Sequence, residues 1–238
     1  MNKQIKNSCI DRLANLQNCV SVKQELRLAH QISMTYVMGD EQLLELLVQR
    51  RIVEKTAFSS LDSILFEVLS ASNSEKIQRS LYNYFSNGIV QLKSSLNFDY
   101  QPLQNLLIVH DYKEADKLTQ IHLCKLAGLD RMGVRNWLYF TDIALIPSED
   151  LLIIDLLWRM YSRNKFGFLQ QRKIWLNNSS NWEKFWLQIG WTEKGLARRY
   201  PDEFMWNIDA PCGHLPLFNQ LRGVQVMSAL FDHIVWRE

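Results

Sequence analysis

The stretch Ser148-Glu-Asp-Leu-Leu-Ile-Ile-Asp-Leu-Leu-Trp-Arg-Met-Tyr-Ser162 decides the class of this chain. Ser148, Glu149 and Asp150 put a hydroxyl and two negative charges where the unpaired N–H groups of a helix start need them. Behind them Leu152, Ile153, Leu156, Leu157 and Met160 recur at helical spacing and predict one broad apolar face over Leu151 to Ser162. Upstream, Asp111-Tyr-Lys-Glu114 reads as a capping box for a helix that Gly128 closes. Downstream, Asn181 precedes a third helix ending at Gly190. A short strand pattern is confined to Phe204 to Ile208, which argues against a sheet with a crossover nucleotide site. The expected fold class is all-α.

All 8 Trp and all 5 Pro lie beyond residue 101, so the polar segment Lys93 to Asp99 reads as a boundary between residues 1–97 and 98–238. In the first part Leu26, Ala29, Ile32, Met34 and Val37, then Leu43, Leu44, Leu46, Leu47 and Ile52, mark amphipathic helices. Gly39-Asp40 reads as a helix-ending glycine followed by an N-cap. Ser60 and Ser74 read as caps for Leu61 to Ala71 and Glu75 to Phe85. The expectation is an N-terminal helical bundle of stacked antiparallel pairs, similar in style to a HEAT array but without an exact period. Its plain role is a scaffold or docking surface.

With 238 residues, 47% hydrophobic and 22% charged, the chain has material for a real core, which excludes disorder and fibre. A formal charge of +2 offers no basic stripe for a duplex, so nucleic acid is not an expected partner. The apolar runs fall short of the roughly 20 residues of a spanning helix, and solubility is expected. Peripheral membrane association remains compatible with this. Cys9, Cys19, Cys124 and Cys212 include no CxxC pair, pointing to a reducing compartment without a disulfide framework or zinc knuckle. The start MNKQIKNSCIDRL lacks both a signal core and an Arg/Ser-rich transit character, so no cleaved leader is expected. The 16 Asn and 17 Ile outnumber 10 Ala and 9 Gly, as AT-rich coding would produce.

The chain contains no GxGxxG, GxxxxGK, GxSxG or HExxH. Asp150 and Asp155, five apart on one helix, fall on different faces and read as an N-terminal charge and a solvent or buried ion-pair partner, not a catalytic dyad. Cys212-Gly-His214 has no converging ligands, base or orienter in view, and His214 is expected to fix a loop by hydrogen bonding. The reading is a protein that is no enzyme, holds no metal and requires no cofactor.

From Trp137 onward lie 18 of the 27 aromatic residues, among them Trp175, Trp182, Trp186 and Trp191. Most must pack a core of helices and irregular loops. The remainder fit a protein-docking surface or an aromatic cleft for an amphipathic acid, with Arg198, Arg199 and Arg222 flanking the region.

A series of motifs then falls in order over residues 98–236: Tyr112-Lys-Glu-Ala-Asp116-Lys-Leu-Thr119, Asn136-Trp-Leu-Tyr-Phe-Thr141, Ile146-Pro-Ser-Glu-Asp-Leu151, Ile154-Asp-Leu-Leu-Trp158, Phe166-Gly-Phe168, Ile189-Gly-Trp191 and Gly213-His-Leu-Pro216. They resemble the Genomes Uncoupled Four family, and the helical N-terminal part is similar to that of its cyanobacterial and algal members. The resemblance implies a helical cupped-hand domain that binds protoporphyrin IX and Mg-protoporphyrin IX. It implies a non-enzymatic activator of magnesium chelatase in chlorophyll synthesis, with the large porphyrin-binding subunit of that enzyme as partner. A monomer in a plastid, encoded there, is expected; a cyanobacterial cytoplasm is the alternative. A helical adaptor without a porphyrin is the alternative function.

The same resemblance assigns the site. Two mobile loops, Leu129 to Asn136 and Trp191 to Asn207, would flank the macrocycle. Phe140 and Ile143 would form its apolar floor and Tyr200 an aromatic wall, with Phe204 placed beside them. Asn219 and Arg222 would meet the polar edge. Gln225 stands where close relatives carry a second arginine, Gln120 where they often carry a basic residue, and Tyr200 in place of a tryptophan. Fewer cations imply weaker propionate binding than the family norm. Leu169-Gln170 departs from the usual Ser-Val, and no regulatory tail is expected after Glu238.

Overall fold

Ser21 starts the helix Val22–Thr35 by accepting the N–H of Gln24 at its hydroxyl, the bond an N-cap exists to make. The computed structural model describes residues 12–19, 21–90, 92, 98–129, 135–217 and 224–236. The chain divides into two compact units, Met1–Ile89 and Val90–Glu238.

In the first unit α1 (12–17) leads to α2 (Val22–Thr35), α3 (Gly39–Val48), a π-helical turn (Gln49–Val53), α4 (Ser60–Ser70) and α5 (Glu75–Phe85). Helices α2 to α5 each pack on the next, and α2 and α3 also on the next but one, so the apolar stripes meet in a layered core. Ala29, Ile32, Leu43, Leu47, Ile64 and Leu69 are among its fully buried members. Three sequence expectations need correction here. Met34, Val37 and Ile52 are exposed, because α2 ends at Thr35 and Ile52 lies in the π turn, where the stripe no longer faces the core. Gly39 is no helix stop. It begins α3, and a Cβ there would stand 2.1 Å from the Ile32 carbonyl oxygen, so only glycine admits the close approach. Asp40 turns its carboxylate to Ser33 and Ser72. The α4 cap is Ser59, one residue before the expected Ser60, whose hydroxyl instead reaches Glu25 at 2.7 Å. Ser74 caps α5 as expected.

The second unit holds α6 (Gln101–Ile108), α7 (Tyr112–Leu126), a 3-10 helix (Phe140–Leu145), α8 (Ser148–Met160), α9 (Phe168–Asn177), α10 (Trp182–Gln188), α11 (Val224–Phe231) and a last 3-10 turn (Ile234–Trp236). Asp111 and Asn181 cap α7 and α10 as read from sequence. Gly128, at φ 78°, follows the end of α7. The strand expected at 204–208 is absent. Among the described residues the strands are Thr192–Glu193 and Leu196–Ala197, paired antiparallel through Lys194-Gly195, both at positive φ as a tight hairpin turn requires. The fold is all-α in every other respect.

Helix α8 is the centre of this unit, and its buried face differs from the expected one. Asp150, Leu151, Ile154, Asp155, Leu157, Trp158 and Met160 are inside, whereas Leu152 is exposed and Ile153 and Leu156 are half-buried. The reason is polar: each buried acid finds its own partner. Asp150 accepts the Tyr100 hydroxyl at 2.8 Å. Asp155 accepts Arg159 Nε at 2.6 Å and the Leu169 N–H at 2.8 Å. Burial raises the Asp155 pKa while Arg159 pulls it back. Gly167, at φ 114°, lets the backbone pass this carboxylate, since a Cβ would lie 2.9 Å from it. Trp158 donates to Thr119 at 2.9 Å and stacks on Tyr112, whose hydroxyl bonds the Tyr161 carbonyl at 2.7 Å. Large aromatic areas are thus buried without orphaning their polar ends.

Candidate functional site

The 3-10 helix Phe140–Leu145 follows a locked approach. Asp142 accepts the Tyr139 N–H at 2.6 Å and forms a 2.7 Å ion pair with Arg135. This geometry buries Ile143 and leaves Phe140 half exposed. The helix packs on α11, and together they line a cavity of about 290 Å³ bounded by Phe140, Ile143, Ala144, Ala229, Asp232 and Ile234. Phe140 and Ile143 are therefore brought together as an apolar surface. His233, also on the lining, is committed to structure: it accepts the Val235 N–H at 3.3 Å and bonds the Ile146 backbone, and burial lowers its pKa. Gln225 is exposed on α11, one helical turn before Ala229.

Tyr200 has a different set of neighbours. Its ring meets Trp206 edge-on at 5.9 Å, it remains partly exposed, and it is coupled electrostatically to Asp116, Lys117 and Glu114 of α7. Burial is the larger cause of its raised pKa, with the Asp116 charge adding to it. Phe204 lies behind this surface, buried against Trp206 and His214, and so has little area to offer a ligand. Asn219, Arg222 and the segment 130–134 of the first expected loop lie outside the described residues. Gln120 bonds the Asn136 carbonyl at 3.4 Å.

The segment between Trp191 and Leu217 is laced by polar contacts. His214 donates from Nδ1 to the Ile189 carbonyl at 2.6 Å and accepts the Met205 N–H at Nε2, 3.1 Å away, which requires the neutral ring. Burial lowers its pKa, consistent with that state, and the expectation that it fixes a loop holds. Among the described residues no group of three His, Cys, Asp or Glu side chains could hold a metal. Arg198, expected at a ligand rim, instead spends its guanidinium on the Glu203 carbonyl at 2.7 Å and on Glu193 at 3.1 Å. A second cavity, of about 500 Å³, opens between α10 and the hairpin, with Trp186, Leu187 and Trp191 as its apolar walls and Glu183 as its charge. Its described lining includes none of the individually assigned ligand residues, but Trp191, Thr192, Gly195 and Ala197 belong to the second expected loop.

Two groups escaped the sequence reading. Arg135 lies over Tyr139 at 4.3 Å and Trp137 at 4.9 Å while paired to Asp142, and only the crowding of aromatics after an arginine hinted at it. Asp116 is buried on α7 and accepts the Leu217 N–H at 2.7 Å from 101 residues away. No local signal marks such a bond.

Against this geometry, the GUN4-like family model matches residues 93–234. The chain belongs to the GUN4-like family. It is 44% identical to ycf53 of Porphyra purpurea over 98% of this chain and 97% of the relative. The Ycf53-like protein of Synechocystis is 40% identical over 73% of this chain and 74% of its own. The tetrapyrrole-binding protein of Arabidopsis thaliana, named as chloroplastic, is 34% identical over 56% of this chain and 54% of its own length. The structure of GUN4 from Chlamydomonas reinhardtii aligns with a TM-score of 0.57 at 42% identity, covering 62% of this chain and 95% of the algal one. Relatives thus come from red algal, cyanobacterial and plant chloroplast lineages. No helix among the described residues is long and apolar enough to cross a membrane.

Proposed function

We propose that this GUN4-like chain binds protoporphyrin IX and Mg-protoporphyrin IX through its second unit and activates magnesium chelatase without catalysing a reaction itself. The observation that carries the reading is the match of the chain to a plant protein named for tetrapyrrole binding, beside a family match over residues 93–234. The site's chemistry supports it. Phe140 and the niche beside it offer an apolar face to a flat macrocycle, and Tyr200 offers a second ring with a polar end. Asn219 and Arg222 complete the proposed set at the polar edge, with Gln225 on α11 and Phe204 as backing. Gln225 supplies no charge where relatives carry arginine, so propionate recognition rests on fewer cations.

The partner in this reading is the large porphyrin-binding subunit of the chelatase, the working state is a monomer, and the place is a plastid whose own genome encodes the chain. Titration of the purified protein with protoporphyrin IX tests the ligand: a saturable shift of the Soret band is expected, and an unshifted band overturns the reading. Addition to reconstituted chelatase tests the activation: a faster magnesium insertion is expected, and an unchanged rate refutes that role.

A further inference from the structure

We propose that Asp116 is a positioning residue of this tetrapyrrole site, its buried carboxylate holding Leu217 in place most firmly while it is ionised. The inference rests on the reading above and adds to it a proton-dependent control. Asp116 sits inside the second unit on α7, and its Oδ1 accepts the Leu217 N–H at 2.7 Å. That bond ties α7 to the chain two residues before Asn219. The Tyr200 ring, a proposed ligand wall, is coupled to the same carboxylate. One acid therefore bonds the chain beside the proposed site from 101 residues away and acts through its charge on Tyr200.

The hold is sensitive to protonation because, among the described residues, nothing strong neutralises the charge. Among the described residues no Lys or Arg nitrogen bonds Asp116. On its own helix Glu114 pairs with Lys117 at 2.5 Å, on the side facing Tyr200. Helix α8, packed on α7, brings Asp150 and Asp155, which are committed to Tyr100 and to Arg159 with the Leu169 N–H. Helix α6 brings Gln104, which accepts the Tyr161 hydroxyl at 2.8 Å. Burial raises the Asp116 carboxyl to about 7, against the downward pull of the Leu217 N–H. The ionised form makes a charge-assisted bond to Leu217; the protonated form makes a weaker neutral one. Below neutrality the hold on Leu217 loosens, and above it the hold tightens.

The experiment uses the full chain, wild type and Asp116→Asn, with protoporphyrin IX binding followed by fluorescence quenching between about pH 6 and pH 8. Amide hydrogen exchange at Leu217, corrected for intrinsic rates, is measured in parallel without ligand. Wild-type affinity should rise about fivefold from the acid to the alkaline end, with a midpoint near that of Leu217 protection. Asp116→Asn should bind at the wild-type acid-end level throughout and show no pH-dependent protection. A flat wild-type profile, or an Asn variant that keeps the wild-type profile, overturns the proposal. If Asp116→Asn fails to fold, the wild-type midpoints decide: coincidence supports the proposal and divergence overturns it. Absence of protoporphyrin binding at every pH, with Leu217 protection still titrating, overturns the tetrapyrrole reading and leaves the proton-dependent hold supported.

Discussion

Arg135 and Asp142 close a 2.7 Å ion pair with both side chains largely buried. The arginine is further pinned over the Tyr139 and Trp137 rings, and Asp142 also accepts the Tyr139 N–H at 2.6 Å. A single carboxylate therefore fixes both the cation and the first turn of the helix that presents Phe140. The order of the proposed ligand face is set from this point in the chain.

Removing the cation alone leaves Asp142 buried without its partner. Arg135→Ala should lower the unfolding free energy by about 2–4 kcal/mol, the range for breaking a mostly buried pair with an added cation–π contact. Arg135→Lys should recover only part of this, since an ammonium restores charge but not the flat guanidinium stacking. Urea unfolding of the three proteins checks the order. An alanine variant with the wild-type midpoint would show that the pair adds nothing.

Phe140 and Ile143 are neighbours on one helix with opposite exposure, which separates binding from stability. Phe140 is 50% exposed and Ile143 only 1%. Phe140→Ala should therefore cost about 1 kcal/mol or less of stability, yet about 2–4 kcal/mol of protoporphyrin IX binding if the ring lies against the macrocycle. Ile143→Ala should cost about 2–4 kcal/mol of stability through the cavity it leaves. Paired melts and fluorescence titrations resolve the two. Unchanged binding in the Phe140 variant would remove this ring from the site.

The positions of helices were legible because caps are local. Asp111, Asn181 and Ser74 each act within three residues of themselves, and each was readable from its own neighbourhood. The buried face of α8 was legible only in part: the pairing of Asp155 with Arg159 one turn on was readable, but hydropathy places Leu152 inside and does not place Asp150 there. The burial of the two acids depends on Tyr100 and on Leu169, partners that no window around the helix contains. The site divides in the same way. The placing of Phe140 and Ile143 came from a motif resemblance, and the structure brings them to one niche. Arg198 looked available because the turn that lets it reach Glu203 and Glu193 is invisible in composition. Asp116 was passed over because its partner is 101 residues away.

His122 gives a pH-dependent test of the second unit's core. Its ring lies edge-on to Phe98 at 4.8 Å and to Tyr100 at 5.7 Å, and among the described residues its buried Nδ1 has no partner. Burial lowers its pKa to about 4. The unfolded chain thus binds the proton first as pH falls below the ordinary histidine value of about 6.5, so stability is lost between there and about 4. His122→Phe keeps an aromatic ring and removes both the titration and the unpaired nitrogen. It should be at least as stable as wild type at neutral pH and lose less stability on acidification. Melting temperatures across that window check this; an acid limb as steep as wild type in the variant would assign the loss to His214, His233 or other groups.

The second unit should work alone. It is a compact unit of the chain from Val90 onward, the family match falls wholly within it, and every residue proposed to meet the tetrapyrrole lies in it. The Chlamydomonas structure is of similar extent, since 62% of this chain covers 95% of that one. The first unit satisfies its own core through helices α2 to α5, and its caps and ion pairs, such as Arg50 with Asp62 at 2.7 Å, close within it. A fragment of residues 90–238 should therefore fold with the helical circular dichroism of this unit and bind protoporphyrin IX within about threefold of the full chain, a difference of under 1 kcal/mol. A fragment that is folded but binds at least tenfold more weakly, about 1.4 kcal/mol, would place part of the site in the first unit. A full chain and fragment of equal affinity would leave the first unit free for a separate role, which chelatase activation by the fragment and by the full chain then compares directly.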